Sequence, residues 1–267
     1  MSTTAPAPIP IDIDATPGVP MATLAKVELR KSLDTRAGRW FVIGILGLLV
    51  LVMLIFSFAA DDDAKDLEIY LAIAGASLGY FMPILVIMLV TSEASQRNGL
   101  VTFTLEPRRP RVVLAKFLAG FALAAIVMVL AFALAYAGAL LGSVTGADTS
   151  WELDGNQIFN GFVLGNVVGV LIGFALGTLI MNTAGAIVAY FAYTLILPTA
   201  AGILSALSDT FEKIAPWIEF NTAQTPLFTD DYKPSGEEWA QIATSGTIWL
   251  VIPLVLGIWR LLRIEFK

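Results

Sequence analysis

Six stretches of roughly twenty apolar residues leave this 267-residue chain few folds to choose from. They run from about 40 to 60, 70 to 90, 112 to 141, 158 to 181, 186 to 207 and 242 to 262. Each matches the ~20 residues that an α-helix needs to cross the hydrocarbon core of a bilayer. None carries a charged side chain near its middle. In hydrocarbon a segment must satisfy its own backbone N–H and C=O groups, so these stretches are expected to be helices. The fold class that follows is an all-α integral membrane protein with six transmembrane helices. Composition agrees, since 57% hydrophobic residues with 14% charged lies outside the range of soluble domains.

Charge gives the helices a direction. Thirteen of the 16 basic residues and seven of the 22 acidic ones fall on the side that holds both termini. The opposite side keeps three basic residues, Lys65, Lys213 and Lys233, and fifteen acidic ones. Lys and Arg are retained in the cytoplasm, so both termini are expected to be cytoplasmic. Residues 1–20 are rich in proline, have no apolar core, and read as a disordered cytoplasmic tail without a cleavable leader. Residues 21–39 set Met21, Leu24, Ala25, Leu29 and Leu33 against Lys26, Arg30, Lys31 and Arg36, the pattern of an amphipathic interfacial helix. The six-span domain fills 40–267. On the outer side, Asp61-Asp62-Asp63 makes an acidic turn and Gly142 to Gln157 a short loop. Ser208 to Gln241 is the longest outer segment, with a helix expected around Phe211 to Phe220, on or in the outer leaflet. A tight inner turn at Asn182 to Gly185 pairs the fourth and fifth spans.

The fourth span has a second pattern. Gly161, Gly165, Gly169, Gly173 and Gly177 recur every four residues, a spacing that lets another helix backbone approach along one face. Asn166 among them is expected to hydrogen-bond to a neighbouring helix, worth on the order of 1 kcal/mol.

Between the second and third spans lies TSEASQRNGLVTFTLEPRRPRVVLAK, Thr91 to Lys116. Five basic residues face two acidic ones there, which makes it an inner loop. Pro107 and Pro110 bracket an Arg pair, ending a preceding helix near Leu105 and restarting one at Arg111. Taken alone, the loop reads equally as a basic anchor at the lipid headgroups.

The order of residues in this loop resembles the ABC-2 type permeases, the membrane subunits of one class of ATP-driven exporters. The likeness lies in Thr91, Ser92 and Glu93, then Arg97, Asn98 and Gly99. It continues through Pro107, Arg108, Arg109, Arg111, Val112, Ala115 and Lys116. Val27 to Trp40 is similar to the helix leading into that family's first span, and Pro216 to Ala223 to the segment before its last. The resemblance implies that Ser92, Glu93, Arg97, Asn98, Gly99, Pro107, Arg108, Arg109 and Arg111 form a coupling element that docks on a partner ATPase. It also implies that the second and fifth spans face a substrate path, offering Tyr80, Met82, Tyr190, Tyr193 and Thr194.

Absent residues narrow the chemistry further. Without Cys or His there are no disulfides, no thiolate or imidazole metal sites, and no nucleophile schemes that need either residue. No GxxxxGK[ST] phosphate loop occurs, so the chain cannot power itself with ATP. No ionisable group sits at mid-span, which argues against proton-coupled transport. The chain is thus expected to be non-catalytic and to bind no cofactor or metal, with ATP and Mg on two copies of a separate ABC-type ATPase. A second permease copy or a related permease would complete a dimer in the bacterial cytoplasmic membrane, with membrane lipid around it and no nucleic acid as partner. The alternative is a non-transporting assembly or sensor protein whose basic loop binds anionic lipid or a regulator.

Overall fold

The computed structural model describes residues 19–96, 108–229 and 232–263. Among the described residues there is no strand, and six helices are long and apolar enough to cross a membrane. The chain is a multi-pass membrane protein. A first helix, α1 (Met21–Asp34), precedes the spans α2 (Arg36–Ala59), α3 (Leu67–Gln96), α4 (Arg109–Val144), α5 (Gln157–Ile180) and α6 (Thr183–Leu207). Two short helices follow, α7 (Asp209–Ile218) and α8 (Phe220–Ala223), and α9 (Gly236–Arg263) is the last span.

The helix expected over 21–39 is two helices. Thr35 is extended (ψ 140°), and its Oγ1 accepts from the Gly38 N–H at 3.1 Å, capping α2. Arg36 and Arg39 therefore belong to the first span. The corner needs a glycine, because a Cβ on Gly38 would lie 2.0 Å from the Ser32 carbonyl oxygen.

The helix end expected near Leu105 lies outside the described residues, but two neighbouring bounds can be compared. α3 runs on to Gln96, and α4 starts at Arg109, two residues before the expected restart. Pro110 sits in the first turn of α4, where the missing N–H has no helical partner to lose. The inner turn between α5 and α6 is likewise tighter than expected. Met181 takes the left-handed conformation (φ 56°) and Asn182 caps α6, accepting from the Gly185 N–H at 2.8 Å, so Thr183 already opens the helix.

α3 forms the middle of the bundle. It packs on α5 along one side and on α4 along the other, with α2 closing the groove between α3 and α4. Tyr70 of α3 is fully buried where Gly138 and Gly142 of α4 leave room. A Cβ at either glycine would come within 2.9 Å of the tyrosine. The Tyr70 hydroxyl meets the Ser57 hydroxyl at 2.8 Å, so the buried phenol is satisfied from α2. The second half of α9 lies against α5, and Gly257 allows the contact, since a Cβ there would be 2.3 Å from Thr178 Oγ1.

The alternating spans make two unlike ends. One gathers α1, the start of α4, the α5–α6 turn and the end of α9, with Arg111 donating to the Val19 carbonyl and Arg109 to the Leu262 carbonyl (3.2 Å). The other end carries Asp61, Asp62 and Asp63, the 145–156 connection, and α7 with α8.

α6 leaves the bundle as it approaches the acidic end. Its first half packs on α3 and α5, but Leu197–Leu207 packs chiefly on α7. The gap this opens between α3, α5 and α6 holds the molecule's main cavity.

Candidate functional site

At the basic end, the residues singled out in the sequence have unequal fates. Arg97, Asn98, Gly99 and Pro107, and the side chain of Glu93, lie outside the described residues. Ser92 is half-buried and its hydroxyl donates to the Leu89 carbonyl at 2.8 Å. Arg108 is the residue before α4, while Arg109 and Arg111 tie the start of α4 to the last span and to the segment before α1. Thr91, fully buried, donates to the Ile87 carbonyl at 2.8 Å and meets the Thr183 hydroxyl at 2.7 Å. The inner end of α3 is thereby joined to the start of α6.

Lys116 is the last residue of the basic stretch that the sequence sets between the second and third spans. It sits two turns into α4 and is buried against α1. Its ammonium donates to Glu28 Oε2 at 2.7 Å, and Lys31 donates to Oε1 at 2.7 Å. The side chains of Lys116 and Glu28 are only 3% and 7% exposed, so this ion pair is out of water. Burial alone pushes the Glu28 carboxyl up. The Lys116 ammonium, with Lys31 behind it, outweighs burial and holds the carboxyl below its ordinary range. Glu28 is the one buried residue of α1, and Leu29 and Leu33 of the expected apolar face pack partly buried against the core.

The cavity occupies the half of the bundle nearer the acidic end and measures about 540 Å³. Tyr80 of α3 and Tyr190, Tyr193 and Thr194 of α6 line it, so four of the five expected path residues meet there. Met82 does not. It is fully buried in the core on the side of α2 and α4, because two residues along a helix turn a side chain by about 200°. Tyr190 donates to the Gly79 carbonyl at 2.7 Å, fixing α6 to α3 at the cavity floor.

The five glycines do not share one partner. Gly169, Gly173 and Gly177 face α3, where a Cβ on Gly173 would lie 2.5 Å from the Pro83 carbonyl oxygen. Gly161 and Gly165 instead face Leu227, Phe228 and Tyr232 of the outer segment. A four-residue spacing drifts by about 40° per step around an α-helix, so a long stripe turns from one neighbour to another. Asn166, in the middle, donates to the Phe162 carbonyl at 2.8 Å and the Gly75 carbonyl at 3.4 Å.

Two of the cavity's walls are locally under-wound. Residues 157–164 and 192–196 adopt π-helix, with Gly165 N–H bonding to Asn160 O and Leu197 N–H to Ala192 O. Pro198 follows the second of these directly; a proline removes one helical N–H and crowds the preceding turn, and a wider turn relieves the clash. The wide turns carry Gln157, Tyr193 and Thr194 on the cavity wall.

The outer segment supplies the remaining wall through Asn221, Gln224, Phe228 and Tyr232. Glu219 kinks it between α7 and α8, its carboxylate accepting from Asn221 N–H (3.0 Å) and Thr222 N–H (2.6 Å). The Tyr232 hydroxyl donates to Glu68 at 3.2 Å; burial and that carboxylate push it up, which keeps the proton on the phenol. None of these outer-segment residues was singled out as a site in the sequence, which placed them in the long segment at and beyond the helix expected around Phe211 to Phe220. The signal was the density of Asn and Gln in a segment flanked by apolar helices.

No family model matches the chain, and no curated protein matches it.

Proposed function

We propose that the chain is the membrane subunit of an ATP-driven exporter of the ABC-2 type. The basic end faces the cytoplasm, both termini lie there, and α1 rests at the headgroups of a bacterial cytoplasmic membrane. Two such subunits, or one with a related chain, enclose the path. A separate ATPase, two copies per complex, docks on the α3–α4 connection, with Ser92, Glu93, Arg97, Asn98, Gly99, Pro107, Arg108, Arg109 and Arg111 forming the coupling element. The resemblance of Thr91 to Lys116 motivates this reading.

One observation carries it beyond resemblance. α3 and α6 are the helices whose inner ends meet at Thr91–Thr183, beside the proposed docking element, and they also supply the aromatic wall of the cavity. A displacement of the α3–α4 connection has a direct route to the cavity along α3, through the Tyr190–Gly79 hydrogen bond.

The test is to purify the chain under mild detergent and measure bound ATPase and substrate-stimulated ATP hydrolysis. A co-purifying nucleotide-binding subunit is expected, and Arg97→Lys with Arg108→Lys should weaken its association. A guanidinium makes planar two-point contacts that an ammonium cannot reproduce. If no ATPase accompanies the unmodified chain, or if the lysine variant binds it unchanged, the coupling role fails. The basic loop would then be a lipid or regulator anchor, for which positive charge suffices.

A further inference from the structure

Four side-chain carboxamides line the cavity, those of Gln157, Asn166, Asn221 and Gln224, and each has its amino group committed to a protein oxygen. Gln157 donates to the Glu68 carbonyl at 2.9 Å and Asn166 to the Phe162 carbonyl at 2.8 Å. Asn221 donates to the Tyr193 carbonyl (3.1 Å) and to Glu219 (2.9 Å), and Gln224 to the Phe220 carbonyl (3.0 Å). Carbonyl and carboxylate oxygens only accept, so the network itself fixes which end of each amide points where. What remains at Gln157, Asn166 and Asn221 is the oxygen end; Gln224, with one bond from its amino group, keeps a second N–H beside the Tyr193 hydroxyl.

Two of these oxygens, on Gln157 and Asn166, are fully covered and have no partner. The Tyr193 hydroxyl, close to Gln224, also makes no hydrogen bond. Buried polar atoms without partners are rare in native proteins, and two amide oxygens that can only accept, beside a phenol hydroxyl on the same cavity wall, mark a site lacking a donor. The phenolic protons of Tyr190 and Tyr232 offer nothing to an incoming acceptor, since Tyr190 donates to Gly79 and Tyr232 to Glu68. No Lys or Arg is among the described residues that line the cavity. An anionic head would find no positive charge among them.

We infer that the cavity binds an organic ammonium, an amphipathic molecule whose charged N–H group is received by these amide oxygens. Tyr80, Tyr190 and Tyr193 add π faces that attract a cation. Glu68, bonded to Tyr232 at the outer rim, adds a carboxylate where such a cation arrives or leaves. The oxygens of Gln157 and Asn166 are covered in this conformation, so the wall shifts on binding to admit the N–H. As a substrate assignment this rests on the export reading; as a binding site it does not.

The test uses monodansylcadaverine, a primary ammonium on an environment-sensitive fluorophore, titrated onto the full chain in nanodiscs of zwitterionic lipid without ATPase or nucleotide. Saturable binding above that of protein-free discs is expected. The N-acetylated analogue, which has lost the charge, should bind at least tenfold more weakly, and a dansyl carboxylate of equal length should not saturate. Asn166→Leu and Gln224→Leu should each weaken the amine about tenfold, and Tyr193→Phe, which keeps the ring, about threefold. The inference is overturned if the amine shows no saturable binding, if the neutral or acidic analogue binds as tightly, or if all three variants stay within twofold of the parent. Should the leucine variants misfold, Tyr193→Phe and the analogue series decide alone. An ATPase that fails to co-purify would sink the export reading and leave this titration untouched.

Discussion

Replacing Lys116 by Met should undock α1 from the bundle. The Glu28–Lys116 pair is 2.7 Å long with both side chains under 10% exposed, so losing the ammonium strands a carboxylate away from water. Removing one partner of a buried pair typically costs about 3–5 kcal/mol. Lys31 still reaches Oε1 and is 42% exposed, which argues for the lower end. About 3 kcal/mol corresponds to a factor of order 10² in the docking equilibrium. The assay is hydrogen exchange over Met21–Asp34 in detergent, supported by tryptic cleavage at Arg30 and Lys31. Lys116→Met and Glu28→Gln should each raise exchange there, whereas the double change Glu28→Leu with Lys116→Met should recover most of the protection, since an apolar pair of similar volume replaces a buried ion pair at little cost. The pH dependence has a fixed sign. The Glu28 carboxyl is held below its ordinary value of 4.5, so its contribution is complete above that pH and is lost as pH falls through the lowered folded value. Acid should therefore loosen α1 in the parent chain but not in the double variant. If Lys116→Met keeps parental protection over α1 in an otherwise folded protein, the pair is not what holds this helix.

Three further outcomes follow from the packing and the charge pattern. Gly173→Leu should abolish monodisperse yield after extraction, because its Cβ would lie 2.5 Å from the Pro83 carbonyl oxygen, whereas Gly169→Ala, 3.3 Å from Pro83 Cγ, should cost no more than about 1 kcal/mol. Tyr70→Phe should lower stability by about 1 kcal/mol, a few degrees in melting temperature, since only the hydroxyl contact to Ser57 is lost. Cysteines at Asp62, Ser150 and Glu237 should react with an impermeant thiol reagent from outside intact cells while one at Thr183 does not. The chain's lack of native cysteine keeps that readout clean, and outside labelling at Thr183 would reverse the orientation.

The spans were legible because hydrocarbon demands length and apolarity from every residue in a row, and six such rows could hardly be anything else. Their ends were less so. Thr35 splits a continuous amphipathic pattern because one side-chain cap outweighs periodicity, and Pro110 opens a helix at Arg109 because its first turn tolerates proline. Tyr190, Tyr193 and Thr194 came only from the resemblance, which implies that the fifth span faces a path. Met82 could not be separated from Tyr80 until the helix phase was known. The pairing of Gly138 and Gly142 with Tyr70 was invisible too, because α4 is rich in small residues throughout and nothing in the row marks which of them meet a ring.

The polar groups of this bundle fall into two kinds, and the contrast is informative. Those near the basic end are saturated. Glu28 has two ammonium partners, Thr91 and Thr183 satisfy each other, and Arg109 and Arg111 reach backbone carbonyls. Such groups fix one arrangement of helices, because breaking any of them leaves a charge or dipole stranded. The cavity instead keeps the amide oxygens of Gln157 and Asn166 and the Tyr193 hydroxyl without partners. Their unmet oxygens cost stability in a chain that could have placed leucine at Asn166 and phenylalanine at Tyr193 with ease. A membrane bundle that keeps that penalty in a cavity of about 540 Å³, on helices widened by π turns, is built there for something other than its own packing.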